Sequence, residues 1–252
     1  MQYFLYCTER ELVHSKRNFD EYEEIEEEPE LPKLPELKLD KEFKIEKIWC
    51  LIAGLSEVGC SFLISNFPKC KPIGKIIISQ VKQSFDLYFD NGKIFILIPR
   101  NVHPDFAKAV ANILINKFQP ARVLAIGNLA ADRYASNFSC QVPMLRMIQT
   151  DEHMKLSQEK TVQKVLPLEP PNFLDNFAAS LMVVCQIKSI PGCTLLSLQD
   201  RQELAIETLI ALEEPAFTIL FKDEQEINPE RKKMYVKEAK KYSFRPTSGL
   251  YL

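Results

Sequence analysis

Apolar residues occur both in short continuous runs and at helical spacing, a pattern typical of strands that alternate with helices. Residues 45–53 form a continuous apolar run that ends at Gly54, and residues 58–67 then have helical spacing. The same pattern predicts a second unit, with strand 121–126, a turn at Gly127 and a helix starting over 129–134, and further strands at 75–83, 84–89, 93–98 and 193–198.

Turn and capping residues punctuate these elements. Asp90-Asn91-Gly92 between two strands is a strong signal for a two-residue hairpin. Pro104 begins an amphipathic helix, which Pro120 ends. The polar residues 149–160 predict a surface loop.

Three further helices are expected in the second half of the chain. Asn172 is the predicted cap of a long helix. Asp200 and Glu203 resemble a capping box for a helix over 201–212, and residues 228–229 (Asn-Pro) begin a final basic helix. The long helix has one apolar stripe, made of Phe173, Phe177, Leu181, Val184 and Ile187.

Together the elements predict an α/β fold, with a single domain in which helices flank a mixed β-sheet. We assign residues 42–241 to this domain. Residues 1–41 form an N-terminal segment with an acidic, proline-containing flexible arm, and residues 242–252 form a flexible C-terminal docking tail.

The formal net charge of −2 conceals two oppositely charged ends. Residues 20–40 sum to −8 and are rich in proline, which favours a mobile arm over a packed one. Such an arm serves either as a solubilising tether or as a docking segment for a basic partner. Residues 229–252 sum to +5. Their basic helix is either a solvated surface or a face for an acidic protein partner, and the near-neutral total argues against nucleic acid.

Cysteine usage and the lengths of the apolar runs predict the compartment. The number of cysteines, seven, is odd, and no two of them have C-x-x-C spacing. This pattern favours reduced, buried thiols over a disulfide framework. No apolar run approaches the length of a membrane span. We therefore expect a soluble intracellular protein of the cytoplasm, or of the cytoplasm and nucleus, with no membrane partner.

Motifs for catalysis and for metal or cofactor binding are not found in the sequence. The three histidines lie far apart, and there is no nucleophile elbow, P-loop or dinucleotide fingerprint. We therefore expect no enzyme activity, no cofactor and no metal. The glycine turns at Gly54 and Gly127 could bind an anion at a helix N-terminus, or they could simply permit tight turns. The first option leaves open a small-molecule-binding α/β enzyme.

The last eight residues combine a proline and a glycine with an apolar-Tyr-apolar ending, Leu250-Tyr251-Leu252. This ending resembles the hydrophobic-Tyr-X signal that enters pockets between α-subunits of the 20S proteasome. Ser-Gly-Leu-Tyr before an aliphatic residue resembles the end of the proteasome assembly chaperone 1 family in its fungal form. Residues 168–173 (LEPPNF), 123–127 and 52–54 also resemble stretches of that family.

The resemblance implies a non-catalytic assembly chaperone that forms a heterodimer with a related, assembly chaperone 2-like subunit. The pair would bind the outer face of the α-ring, promote its assembly and oppose premature dimerisation or activator docking. Carried onto this chain, Leu252 supplies a carboxylate for a pocket lysine, Tyr251 an aromatic anchor and Leu250 an apolar contact. A proteasome activator or adaptor with the same tail is a further alternative.

Overall fold

One mixed sheet organises the part of the chain described by the computed structural model. That part comprises residues 33–243, except 41–42, 44–46, 131–133, 136–142, 159–164, 200–203 and 221–229. The sheet order over these residues is β1-β3-β4-β5-β2-β6-β9-β7-β8. The strands are β1 (Glu36–Leu39), β2 (Cys50–Leu55), β3 (Lys71–Ile78), β4 (Gln83–Asp90), β5 (Lys93–Ile98), β6 (Val123–Ala130), β7 (Met144–Gln149), β8 (Leu166–Pro167) and β9 (Gly192–Gln199).

Parallel pairing is concentrated at the centre of the sheet. β2 pairs in parallel with both β5 and β6, and β6 pairs in parallel with β9. Antiparallel ladders extend the sheet on either side, from β5 through β4 and β3 to β1, and from β9 to β7. The predicted fold class, a mixed sheet flanked by helices, is confirmed.

Helices cover both faces of this sheet. On one face α1 (Ser56–Asn66), α5 (Ile206–Leu220) and α6 (Arg231–Ser243) share a core with β2, β5, β6 and β9. On the other face α2 (Pro104–Phe118) and α4 (Asn176–Ile187) pack on the opposite sides of the same strands. A further α-helix, α3 (Asp151–Gln158), follows β7 directly.

Local turn chemistry explains the elements that the sequence predicts well. Asn91 and Gly92 join β4 to β5 with φ values of 45° and 73°, the left-handed backbone that a tight hairpin requires. Trp49 Nε1 donates to the Asn91 carbonyl at 3.1 Å and closes the turn from outside. The predicted hairpin is confirmed, as are α2 and the final basic helix α6.

The prediction of a flexible N-terminal arm is wrong for residues 36–39. Glu36–Leu39 forms β1, which pairs antiparallel with β3 at the edge of the sheet. Leu37 and Leu39 turn towards the core while Glu36 and Lys38 face solvent. This period-two alternation is the signature of an edge strand, and the acidic average over 20–40 masked it.

The predicted turn at Gly127 is also wrong. Its strand continues to Ala130, since each residue from Val123 to Ala130 is paired with β9. Leu129 is therefore in a strand and not in a helix. Glycine at position 127 of β6 leaves room for Leu55, which packs against it: a Cβ at Gly127 would lie 3.1 Å from that of Leu55.

The segment 149–160, predicted as a loop, contains α3. Thr150 Oγ1 accepts from the His153 backbone N–H at 3.4 Å and begins the helix. His153 is buried, whereas Met154, Lys155 and Leu156 are exposed. A helix with so narrow a buried side lacks the apolar periodicity that would have predicted it.

The long helix α4 begins at Asn176, later than the predicted cap. Asn172 instead holds another segment, because its amide exchanges two 2.8 Å hydrogen bonds with the backbone of Ala135. Phe173 lies outside the helix and is 76% exposed. Of the predicted stripe, Phe177, Leu181 and Val184 are buried, whereas Ile187 is 72% exposed.

The helix predicted over 201–212 begins later, at Ile206, and runs to Leu220. Its proposed capping pair, Asp200 and Glu203, lies outside the described residues, as does the Asn228-Pro229 start predicted for α6.

Candidate interaction surface

The predicted site residues Leu250, Tyr251 and Leu252 lie outside the described residues. The element that the structure describes before them is α6, which ends at Ser243. The candidate surface is therefore built from α6 and from the helices against which it packs.

Tyr235 anchors α6 to the body of the domain. Its side chain is fully buried against α1 and α5. Asn66, at the end of α1, donates from Nδ2 to the Tyr235 hydroxyl and to the Phe62 carbonyl, both at 2.8 Å. Burial of the phenol raises the pKa of Tyr235 above its ordinary value, so it stays a neutral partner.

A two-pronged ion pair provides a second anchor between α5 and α6. Arg231 Nε lies 2.9 Å from Glu213 Oε1, and Nη2 lies 3.4 Å from Oε2. Both side chains are largely buried, at 23% and 15% exposure. Paired contacts of this type fix orientation as well as distance, so α6 is held at a defined angle to α5.

The outward face of α6 is basic along its length. Glu238, in contrast, is only 2% exposed and pairs with Lys241. Lys233 contacts Glu230, just before the helix, at 3.5 Å. The exposed residues of α6 in the described part are Lys232, Lys233, Val236, Lys237, Lys240 and Lys241. We call this set the lysine face.

An apolar groove lies on the other flank of α1, between that helix and strands β4 and β5. Its volume is about 300 Å³. Phe67 and Phe95 pack at its base with ring centroids 4.8 Å apart. The lining residues are Leu63, Ile64, Phe67, Pro68, Cys70, Tyr88, Phe95 and Leu97.

Another candidate surface lies on the opposite face of the sheet, where helix α4 packs. Its sequence, NFAASLMVVCQI, contains no charged residue. Val183 is 51% exposed and Ile187 is 72% exposed. An uncharged outer helix with exposed branched side chains is typical of a surface that is covered in an assembly.

The LEPPNF segment at 168–173 is held in place by a buried arginine. Arg146 on β7 donates from Nε to Glu169 Oε2 and to the Tyr134 hydroxyl, both at 2.8 Å. The Arg146 guanidinium also lies 5.3 Å from the Tyr134 ring centroid. Hydrogen bonds from Arg146 and Tyr134 lower the pKa of Glu169 to about 2. This trio was missed by sequence reasoning, because no local signal links residues this far apart.

The two glycine turns proposed for anion binding have different outcomes. Gly54 does precede a strand-to-helix turn, but its Cβ position is filled: the Gly59 backbone and Leu63 would lie 2.9 Å away. Gly54 therefore permits close packing of α1. At Gly127 there is no turn, as described above.

The described residues contain no group of three or more metal-ligating side chains suited to hold an ion. In the same part of the chain, no helix combines the length and apolar character needed to span a bilayer.

Comparison with solved structures finds the same fold in proteins of low sequence identity. PbaB of Pyrococcus furiosus, an archaeal proteasome activator, matches with a TM-score of 0.63 and 15% identity, over 84% of this chain and 96% of PbaB. PbaA of the same organism, an archaeal homolog of proteasome-assembly chaperone, matches with a TM-score of 0.62 and 13% identity, over 84% and 89%. At these identities the likeness defines the fold class.

No protein-family model matches the chain. Sequence comparison nevertheless identifies a relative. The chain is 25% identical over 122 residues to proteasome assembly chaperone 1 of Dictyostelium discoideum. The match covers 48% of this chain and 43% of that protein, so the chain spans less than half the length of the curated relative. This match agrees with the resemblance to the proteasome assembly chaperone 1 family that the sequence motifs indicate.

Proposed function

We propose that the protein is a non-catalytic chaperone for assembly of the 20S proteasome. The observation that carries the proposal is the sequence match to proteasome assembly chaperone 1. The shared fold with PbaA, a homolog of proteasome-assembly chaperone, supports it. In this proposal the chain works in the cytoplasm or nucleus as a heterodimer with a related chaperone subunit, bound to the outer face of the α-ring.

The proposed contact with the ring is the tail Leu250-Tyr251-Leu252. The Leu252 carboxylate pairs with a pocket lysine, Tyr251 packs on the pocket wall and Leu250 adds apolar contact. Ordering these three residues costs roughly 1–2 kcal/mol each in backbone entropy, which burial of the side chains at about 25 cal/mol per Å² offsets. One tail therefore binds weakly. A second tail from the partner subunit strengthens binding through effective concentration, which suits a factor that promotes ring assembly, opposes premature dimerisation and activator docking, and is then released.

The tail is tested by pull-down of α-ring subunits with Tyr251→Ala and with a variant that lacks residues 250–252. We expect both variants to lose most of the binding while their circular dichroism stays that of the wild type. Ser248→Ala, in the same tail, is the matched control and should bind normally. Full binding by both tail variants would refute the assigned role of Leu250, Tyr251 and Leu252.

An activator is the second candidate, favoured by the likeness to PbaB, an archaeal proteasome activator. The two functions differ in the particle that is bound. Native mass spectrometry of the endogenous complex separates them: one related partner on an immature core particle supports the chaperone, and a mature core particle supports the activator.

A further inference from the structure

We propose that the lysine face of α6 is a docking surface for an acidic protein surface that borders the pocket receiving the tail. This inference rests on the proposed function, since it takes the α-ring as the partner. It names the part of this domain that faces the ring and the charge that the ring presents there.

The first argument is the segregation of charge on α6. Five of its lysines are exposed, and its only acidic residue, Glu238, is buried. A solvated helix in a protein of nearly zero net charge normally mixes both signs on its outer face, often as i,i+4 pairs. Here a single-sign face about 20 Å long points away from the domain, which is complementary to an acidic protein surface.

The second argument is rigidity. A charged face contributes to recognition when its position relative to the rest of the contact is fixed. The Tyr235 hydroxyl bonds to Asn66 on α1, and the Arg231 guanidinium bonds to Glu213 on α5. Both anchors lie on the inward side of α6, so the lysine face is presented in one orientation by the body of the domain.

The third argument is the distance between α6 and the tail. Six residues, 244–249, separate Ser243 from Leu250. Even fully extended, this stretch covers at most about 25 Å. When the tail occupies its pocket, the last turn of α6, with Lys240 and Lys241, must therefore lie within about 25 Å of it, so the partner surface that borders the pocket can come into direct contact with the lysine face.

An exposed charged rim of this kind acts mainly on the association rate. Attraction between the lysine face and acidic residues orients the two proteins during encounter, and salt screens it. The dissociation rate of the complex, which the contacts of Tyr251 and Leu252 determine, is expected to depend much less on α6. The lysine face and the tail should thus be separable in kinetics.

The experiment measures association and dissociation rates on immobilised α-ring at 50, 150 and 300 mM NaCl. The test variant carries Lys232→Glu, Lys233→Glu and Lys237→Glu. The matched control carries Lys75→Glu, Lys108→Glu and Lys117→Glu, three exposed lysines on β3 and α2 that give the same net charge. We expect the test variant to associate about tenfold more slowly at 50 mM salt, with a flattened salt dependence and a dissociation rate changed less than twofold.

Equal association rates for the test and control variants would overturn the inference. It would also be overturned if the test variant kept its rate on the ring but lost retention on heparin or on anionic lipid vesicles, since the partner would then be a nucleic acid or a membrane. Glutamine at the same three positions serves as a second variant that should fold in any case, with a smaller loss of rate in the same direction.

Tyr251→Ala distinguishes failure of this inference from failure of the proposed function. If the wild type does not bind the ring, the proposed function fails. If binding depends on Tyr251 and not on the lysines, only the inference fails.

Discussion

Arg146 on β7 and Glu169 in the segment before α4, 23 positions apart in the sequence, form a 2.8 Å ion pair. The Arg146 side chain is 8% exposed, whereas the Glu169 side chain is 40% exposed. Tyr134 completes the site from a third segment. The pair therefore ties the LEPPNF segment to the sheet through a charge that has little access to water.

Glu169→Gln should lower the free energy of unfolding by about 1–2 kcal/mol at pH 7, because Arg146 loses its charged partner. The loss is limited because solvent screens the exposed Glu169 side of the pair. Urea denaturation measures the change. Glu152→Gln is the control: it removes a solvent-exposed pair with Lys155 and should change stability by less than about 0.5 kcal/mol.

The same pair predicts acid sensitivity. The pKa of Glu169 is lowered from 4.5 to about 2, so its contribution is complete above pH 4.5 and is lost as the pH falls towards 2. The stability difference between wild type and Glu169→Gln should shrink over that window. A difference that stays constant down to pH 2.5 would contradict this assignment.

Gly59→Ala should destabilise the domain by about 3 kcal/mol or more. A Cβ at this position would lie 1.9 Å from the carbonyl oxygen of Ile126, and a backbone atom in the central sheet cannot move aside. The control is Ser61→Ala on the same helix. Ser61 is fully buried, and its hydroxyl has no hydrogen-bond partner among the described residues. Its removal should leave stability unchanged or slightly higher.

Chemical denaturation compares the two alanine variants. Equal stabilities for Gly59→Ala and Ser61→Ala would show that α1 does not pack on β6 as closely as described.

His153 should make the fold less stable below neutral pH. Burial, with a smaller effect of the Arg122 charge, lowers the pKa of His153 from 6.5 to about 4. The unfolded chain then takes up the proton first, so the stabilising contribution is complete above pH 6.5 and is lost as the pH falls towards 4. Urea denaturation between pH 7 and 5 should show a loss on the order of 1–2 kcal/mol in the wild type that is absent in His153→Gln. Parallel pH profiles would refute the prediction.

The buried cysteines should resist alkylation. Burial raises the pKa of Cys50, Cys60 and Cys185 to about 12 and that of Cys193 further, so the reactive thiolate is scarce at pH 8. Peptide mass spectrometry after treatment with iodoacetamide should find these four unmodified in the folded protein and modified in 6 M guanidinium. Modification of any of them within minutes in native buffer would contradict their burial.

Sequence reasoning succeeded where a local signal determines the structure. Asn91-Gly92 defines its hairpin because both residues tolerate left-handed backbone, and Pro104 and the apolar spacing of α2 define that helix. It failed where tertiary contacts decide. Gly127 remains in a strand because β9 pairs with β6 as far as Ala130, and no nearby residue reports that pairing.

The candidate surface was likewise predictable from the sequence only in part. The basic character of α6 is visible in the sequence, but its single-sign outer face depends on which residues are buried. Tyr235 meets Asn66 across 169 residues, and this contact turns Glu238 inwards with the rest of that side. The tail motif, in contrast, is readable only from the sequence, and the described residues end before it.

The position of β9 constrains the order in which the sheet can form during synthesis. β6 can add to β2 as soon as both have left the ribosome, but β7 has only two paired residues, with β8, until residues 192–199 emerge. β7, paired only with β8 until then, must therefore wait until α4 has been synthesised before its main ladder, with β9, can form. In a growing chain the half of the sheet up to β6 can fold first, and the other half is completed by a strand that enters late between two earlier ones.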